Sequence, residues 1–302
     1  MKAKVSGTKK KINGTTFLLM ITILLFVVMY AAGMIVFNDK GFAKPQMFLN
    51  LFISNAGLLV IAMGETIVMI TAGIDISVGS VTALVCMVAA NQMENHGASA
   101  YTALLMALVI GLLFGLVQGF LVSYLEIQPF IVTLAGMFFG RGMTSIISTD
   151  MISIKNKTFL AWANYKIYLP IGSYSRRGKF IPAYIYPTVI IAILIFIVVL
   201  DGLLAGCGGF LFCLNSCSGF VEQAKGLEMD AISASVIGGT LLSGGVGTPF
   251  GTVFGVLIKE TISSLITTQG TLSSWWVRIA LSALLCFFIV LQSIIGSMKK
   301  KN

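Results

Sequence analysis

Residues 16–37 run without a single charged side chain, and apolar runs of similar length recur to the end of the chain. About 20 such residues in a helix cross the ~30 Å hydrocarbon layer of a bilayer. Only helices and closed barrels satisfy their backbone polar groups there. The composition agrees, with 10% charged residues and a mean hydropathy of +0.96 over 302 residues; soluble domains average about 25% charged. The expected fold is an all-α polytopic membrane protein. Its spans are 16–37, 49–71, 77–94, 101–124, 129–148, 183–200, 202–220, 230–244, 249–268 and 276–296, about ten helices. Segment 230–268 also admits one span plus a re-entrant piece.

The net charge of +9 lies largely in two tails, with Lys2, Lys4, Lys9, Lys10 and Lys11 in residues 1–15 and Lys299, Lys300 and Lys301 in residues 297–302. Basic clusters beside apolar spans read as cytoplasmic anchors rather than as nucleic-acid contacts. Both termini then lie inside, around one transmembrane domain, 16–296. The first run is too long for a signal-peptide core and reads as a retained helix. The polar segment 149–182 falls outside, although it carries Lys155, Lys157, Lys166, Arg176, Arg177 and Lys179. That works against the positive-inside rule, because no basic cytoplasmic loop offsets it.

The stretch Ile70 to Ser80, ITAGIDISVGS, places an aspartate, two serines and two glycines between apolar runs. A second stretch, VIGGTLLSGGVGTPFG (Val236 to Gly251), has the same grammar of glycine, serine and glycine after a helix that carries an acid. Glu65 precedes the first and Asp230 the second, which suggests two weakly repeated halves with glycine-rich broken segments. Paired interruptions of this kind point to a transport path, because irregular backbone at membrane depth is tolerated only inside protein or beside water. An intramembrane aspartate is costly. Asp75 therefore orders a helix break or meets a solute, with Ser77 and Ser80 placed to cap the next helix. Glu65 lines the path or hydrogen-bonds a neighbouring helix.

Gly111, Gly115 and Gly119, like Gly247, Gly251 and Gly255, have the four-residue spacing that lets helices touch. Arg141 reads as a snorkelling end residue, and Trp275, Trp276 and Arg278 as an interfacial anchor. Adjacent Lys259 and Glu260 need separate partners. The five cysteines lie in apolar runs and read as packing residues rather than metal ligands. The sequence contains no phosphate-binding loop, metalloprotease motif or nucleophile elbow. The expectation is a transporter subunit, not an enzyme.

Residues 70–80, PFIVTLAGMFFGRGMTSIIS (129–148) and LEMDAISASVIGGTLLSGGVGTPFGTVFG (227–255) resemble the permeases of bacterial monosaccharide ABC importers, the ribose/xylose/galactofuranose branch. TLAGMFFGRG and GTLSSWWVRIALSALLCFFIVLQ (270–292) look most like a galactofuranose-importer permease. The resemblance implies location in the bacterial cytoplasmic membrane. It also implies a cytoplasmic ATPase carrying ATP and Mg on a partner chain, a second permease in a homo- or heterodimer, and an extracytoplasmic sugar-binding protein. By the matched motifs, Glu65, Gly73, Asp75, Ser77, Gly79, Gly238, Gly239, Ser243, Gly244 and Gly245 border the substrate path.

One departure stands out. Relatives carry a cytoplasmic ATPase-docking segment where this chain passes directly from Leu200 to Asp201, which implies an internal deletion. Two further readings follow. One is a degenerate permease that inserts without coupling. The other is a secondary transporter using Glu65, Asp75 and Asp230 as ion sites.

Overall fold

A computed structural model describes residues 14–174, 180–197, 201–273 and 275–300. Most of the basic tails, Arg176, Arg177, Lys179 and the Leu200 side of the seam lie outside the described residues. The fold is helical, with α1 Gly14–Val36, α2 Pro45–Ser54, α3 Ala56–Ile70, α4 Val78–Asn95, α5 Ala100–Ser123 and α6 Pro129–Ile147. After α7 (Lys157–Asn164) come α8 Pro187–Ile197, α9 Asp201–Ser216, α10 Leu227–Ile237, α11 Pro249–Gln269 and α12 Trp275–Lys300.

Among the described residues, five helices are long and apolar enough to span a membrane: α1, α5, α6, α11 and α12. The bent pair α2–α3 makes a sixth. Its 56° bend falls at Asn55, whose side-chain amide donates to the Leu51 carbonyl at 3.0 Å. All ten expected segments carry a helix, but several are shorter than expected. α10 has 11 residues and ends at Ile237, about 16 Å of helix and roughly half the hydrocarbon thickness. That favours the re-entrant reading of 230–268. α8 also has 11 residues, starting at Pro187 rather than 183, because the preceding residues are in a strand.

The segment 149–182 is structured. β1 (Ile152–Ser153) pairs with β4 (Ser218–Gly219), and β2 (Ile167–Tyr174) forms an antiparallel hairpin with β3 (Phe180–Ile185). The Glu94 carboxylate at the end of α4 accepts from the backbone N–H groups of Lys155 and Asn156, at 2.8 and 3.0 Å, and so fastens this segment to the bundle. The chain's two ends share the opposite pole. A β-carbon on Gly14 would lie 2.9 Å from Ile295 Cγ2.

α9 runs antiparallel to α3 in the centre of the bundle. A β-carbon on Gly57 would stand 2.9 Å from the Phe212 nitrogen, and one on Gly206 would stand 2.6 Å from the Ala107 carbonyl oxygen of α5. These glycines let the backbones nearly touch. Beyond Gly111, α5 continues for more than three turns to Ser123.

Candidate functional site: the two helix breaks

α3 ends at Ile70, and the chain reverses through Ala72, which has a left-handed φ of +63°. The chain then starts α4, which packs on α9 where Gly209 faces Thr82 and Val85. Asp75 organises this return. Its Oδ1 accepts from the Ser77 backbone N–H at 2.8 Å and from the Ser77 hydroxyl at 2.6 Å. Neither serine caps the helix; the aspartate, two residues ahead of the N-cap position Ser77, holds the entry to α4. The Ser80 hydroxyl instead donates to the Ser77 carbonyl at 2.7 Å. Glu65, 1% exposed within α3, accepts the Asp75 backbone N–H at 3.2 Å. The two acids therefore belong to one unit.

The Gln118 side-chain amide of α5 donates to the Ser77 hydroxyl at 3.0 Å, completing a Gln118–Ser77–Asp75 chain. α6 reaches this chain through small residues. A β-carbon on Gly140 would lie 2.8 Å from the Ser80 hydroxyl oxygen, and one on Gly136 would collide with the Gln118 amide. The Thr133 hydroxyl donates to the Ile74 carbonyl at 3.2 Å.

Around this unit opens a cavity of about 600 Å³. Its polar lining includes Glu65, Asp75, Ser77, Gln118 and Thr133, and the rest is mostly aliphatic, with Gly73 among the glycines. The Asp75 Oδ2 accepts no hydrogen bond among the described residues. Gly115 and Gly119, expected to pack helices, line this cavity instead, and a β-carbon on Gly119 would meet nothing within 4 Å. Gly111 does pack, against Gly206.

The second break lies against the first rather than around the cavity. After α10, Gly239, Gly244 and Gly245 all have positive φ, near +80° to +96°. The Gly245 backbone N–H donates to the Ile70 carbonyl at 2.8 Å. Gly238 abuts the Gly251 backbone, while Ser243 is exposed. Gly79 packs on Glu228 and the Ala224 carbonyl. Of the expected path residues, the structure thus gathers Glu65, Gly73, Asp75 and Ser77 into the cavity wall. Gly238, Gly239, Gly244 and Gly245 form a buttress behind it.

Other polar residues hold the half-helix α10. The Thr66 hydroxyl meets those of Ser235 and Thr252 at 3.0 and 2.5 Å. Gln292 donates to the Val236 and Thr240 carbonyls at 3.1 and 3.2 Å, and Thr22 donates to the Ile237 carbonyl at 2.7 Å. The Thr22 bond satisfies a carbonyl that the helix end leaves open, and Gln292 ties the end of α10 to the turn that follows it. Asp230 pairs with Lys259 at 3.2 Å, which gives Lys259 a partner on α10. Arg141 does not snorkel. Its guanidinium donates to the Val221 and Gln223 carbonyls, at 3.0 and 2.9 Å, and ties down the irregular segment ahead of α10. Arg278 stacks 5.3 Å from the ring of exposed Trp275, as an interfacial anchor would.

Sequence reasoning missed Gln118 and the Thr66–Ser235–Thr252 cluster. The available signal for Gln118 was a lone amide between Gly115 and Gly119 in an otherwise apolar helix.

A helical bundle with paired interior breaks and a polar-lined cavity defines a membrane transport subunit. The family model described as branched-chain amino acid transport system / permease component matches residues 47–200 and 190–290, and the chain belongs to this family of ABC-transporter permeases. Among relatives, the inner membrane ABC transporter permease protein YjfF of Escherichia coli is 37% identical over 303 positions, 91% of each chain. The fructose import permease FruG of Bifidobacterium longum is 27% identical over 96% of this chain and 95% of its own. The autoinducer 2 import permease LsrC of Yersinia pestis is 29% identical over 79% of this chain and 74% of its own. No solved structure matches the chain.

Proposed function

We propose that this chain is the membrane subunit of an ABC importer for a monosaccharide, acting in a bacterial cytoplasmic membrane with both termini inside. The carrying observation is family membership combined with the cavity at the first break. A sugar presents hydroxyl donors. Asp75 Oδ2 offers an unshared acceptor, held in place because Oδ1 is fixed by Ser77. Aliphatic walls between a few placed polar groups suit a small ligand. Relatives named for fructose import support the sugar class, and the motif resemblance supports galactofuranose within it. Energy comes from ATP and Mg on a separate ATPase chain, and sugar from an extracytoplasmic binding protein. A second permease completes the path. The test is uptake of labelled galactofuranose, galactose and fructose into proteoliposomes holding the reconstituted complex. ATP-dependent uptake of one sugar supports the reading. Uptake without ATP that an uncoupler abolishes would establish the ion-coupled alternative.

A second reading, a permease that inserts but couples poorly, is favoured by the region around the seam. Over the described residues on either side of 198–200, α8 and α9 have 11 and 16 residues, about 16 and 24 Å of helix. The two family matches meet at 190–200. In the YjfF pairing, 91% of 302 residues fills about 275 of 303 positions, so about 28 lack a counterpart here. On this reading the ATPase-docking segment is missing at Leu200–Asp201. Grafting that segment from a relative and assaying uptake decides it; no gain in uptake sinks the deletion reading.

A further inference from the structure

A second cavity, of about 550 Å³, lies between α5, α7, α8 and α9, at the pole away from the chain ends. Its rim is aromatic. Tyr101 and Trp162 meet edge to face with ring centres 4.8 Å apart, and Tyr165 stands beside them. Its floor is Leu104, Cys207 and Phe210, with Phe210 fixed edge to face on buried Phe159 at 5.8 Å. An apolar cavity of this kind does not retain water.

The surfaces on either side identify what fills it. Leu105 and Val109 of α5, and Ile190 and Ile193 of α8, are 61%, 44%, 40% and 51% exposed. In a membrane protein such helix faces meet lipid, and exposed Tyr101 of α5 and Ile191 of α8 belong to the groove lining itself. Aromatic rings favour head-group depth, so the rim sits at the interface and the floor among the acyl chains. Lys157 and Lys166, both exposed, stand at the same pole. Over residues 149–186 six basic residues face a single acid, Asp150. A ligand with an anionic head and a hydrocarbon tail complements both features.

We propose that this groove binds one acyl chain of an anionic phospholipid, with its phosphate within reach of Lys157 and Lys166. The site is separate from the solute cavity and does not depend on the transport reading.

The test uses the full chain carrying W275F and W276F, which leaves Trp162 as the sole tryptophan. The probes are phosphatidylglycerol and phosphatidylcholine with brominated acyl chains, titrated into the detergent-purified protein. The expected result is saturable quenching of Trp162, reached at lower concentration with phosphatidylglycerol. Cys207 and buried Thr188 both line the groove; Cys207→Phe and Thr188→Phe each fill it, and each is expected to abolish the saturable component. The surface pair Lys157→Gln/Lys166→Gln leaves the groove intact and is expected to erase the head-group preference alone. Quenching that rises in proportion to bulk brominated lipid, unchanged by either phenylalanine, would mean ordinary lipid contact and overturn the site. Equal saturation by the two lipids in the unsubstituted chain would overturn the role of the lysines. Saturation by a brominated fatty acid at the same concentration as phosphatidylglycerol would overturn the phospholipid assignment.

Discussion

A β-carbon on Gly244 would stand 2.6 Å from the β-carbon of Ala72, well inside the ~3.5–4.0 Å at which carbons pack. The two helix breaks, more than 170 residues apart in sequence, thus touch backbone to backbone, and Gly245 locks them through the Ile70 carbonyl. Gly244 also has a φ of +80°, where an L-residue pays about 1–2 kcal/mol. Gly244→Ala is therefore expected to lower the thermal midpoint of the purified chain. Ala72→Gly removes the opposing methyl and should recover part of the loss in the double variant, but not the backbone strain. Simple additivity of the two substitutions would show that the Ala72 methyl is not what the added carbon meets.

Asp75 has two separable roles, and two substitutions divide them. Asp75→Asn retains an oxygen that accepts from the Ser77 N–H, so the start of α4 is preserved and stability is expected to stay near the parent. Asp75→Ala loses that acceptor and should cost about 1 kcal/mol, the usual magnitude for a helix cap. Transport through the assembled importer is expected to fall in both variants, because both remove the carboxylate from the cavity. A parent-like uptake rate in Asp75→Asn would confine Asp75 to its structural role.

That division also marks how far the sequence could be read. The break at 70–80 was legible because a charge and two glycines in an apolar run are costly unless they end a helix beside a cavity. Its repeat at 236–251 was legible from its glycines and serine alone, since it carries no charge. The contact between them was not, since Gly245 to Ile70 is a tertiary hydrogen bond that leaves no periodic trace. The polar segment 149–182 read as loop because its hairpin strands have no regular alternation and include Pro170, Gly172 and Pro182. The half-length of α10 was open in the sequence, because apolar residues continue past Ile237 and only glycine conformations end the helix.

Arg141 was legible as structural but not in its target. It satisfies two carbonyls of an irregular segment in which Cys217 and Ala224 have positive φ. Leaving a buried carbonyl unpaired costs about 1–3 kcal/mol. Arg141→Leu is expected to raise amide hydrogen exchange across 217–226 while exchange in α3 stays at the parent level. Arg141→Lys should fall between, since an ammonium lacks the planar fork of donors. Unchanged exchange in Arg141→Leu would show that the segment holds itself.

The Asp230–Lys259 pair joins α10 to α11 at 3.2 Å, with Lys259 mostly buried at 19% side-chain exposure and Asp230 at 35%. Removing one partner of a buried pair leaves an uncompensated charge, whereas removing both often costs little. Lys259→Met is therefore expected to destabilise the chain more than the double variant Asp230→Asn/Lys259→Met, and a double-mutant cycle gives the coupling energy. The same cycle bears on mechanism. If Asp230 were an ion site, Asp230→Asn alone would abolish gradient-driven uptake in vesicles while Lys259→Met would leave it ion-dependent. If it only positions the half-helix, the two single variants should lose stability together and the double variant should recover both folding and ATP-driven transport.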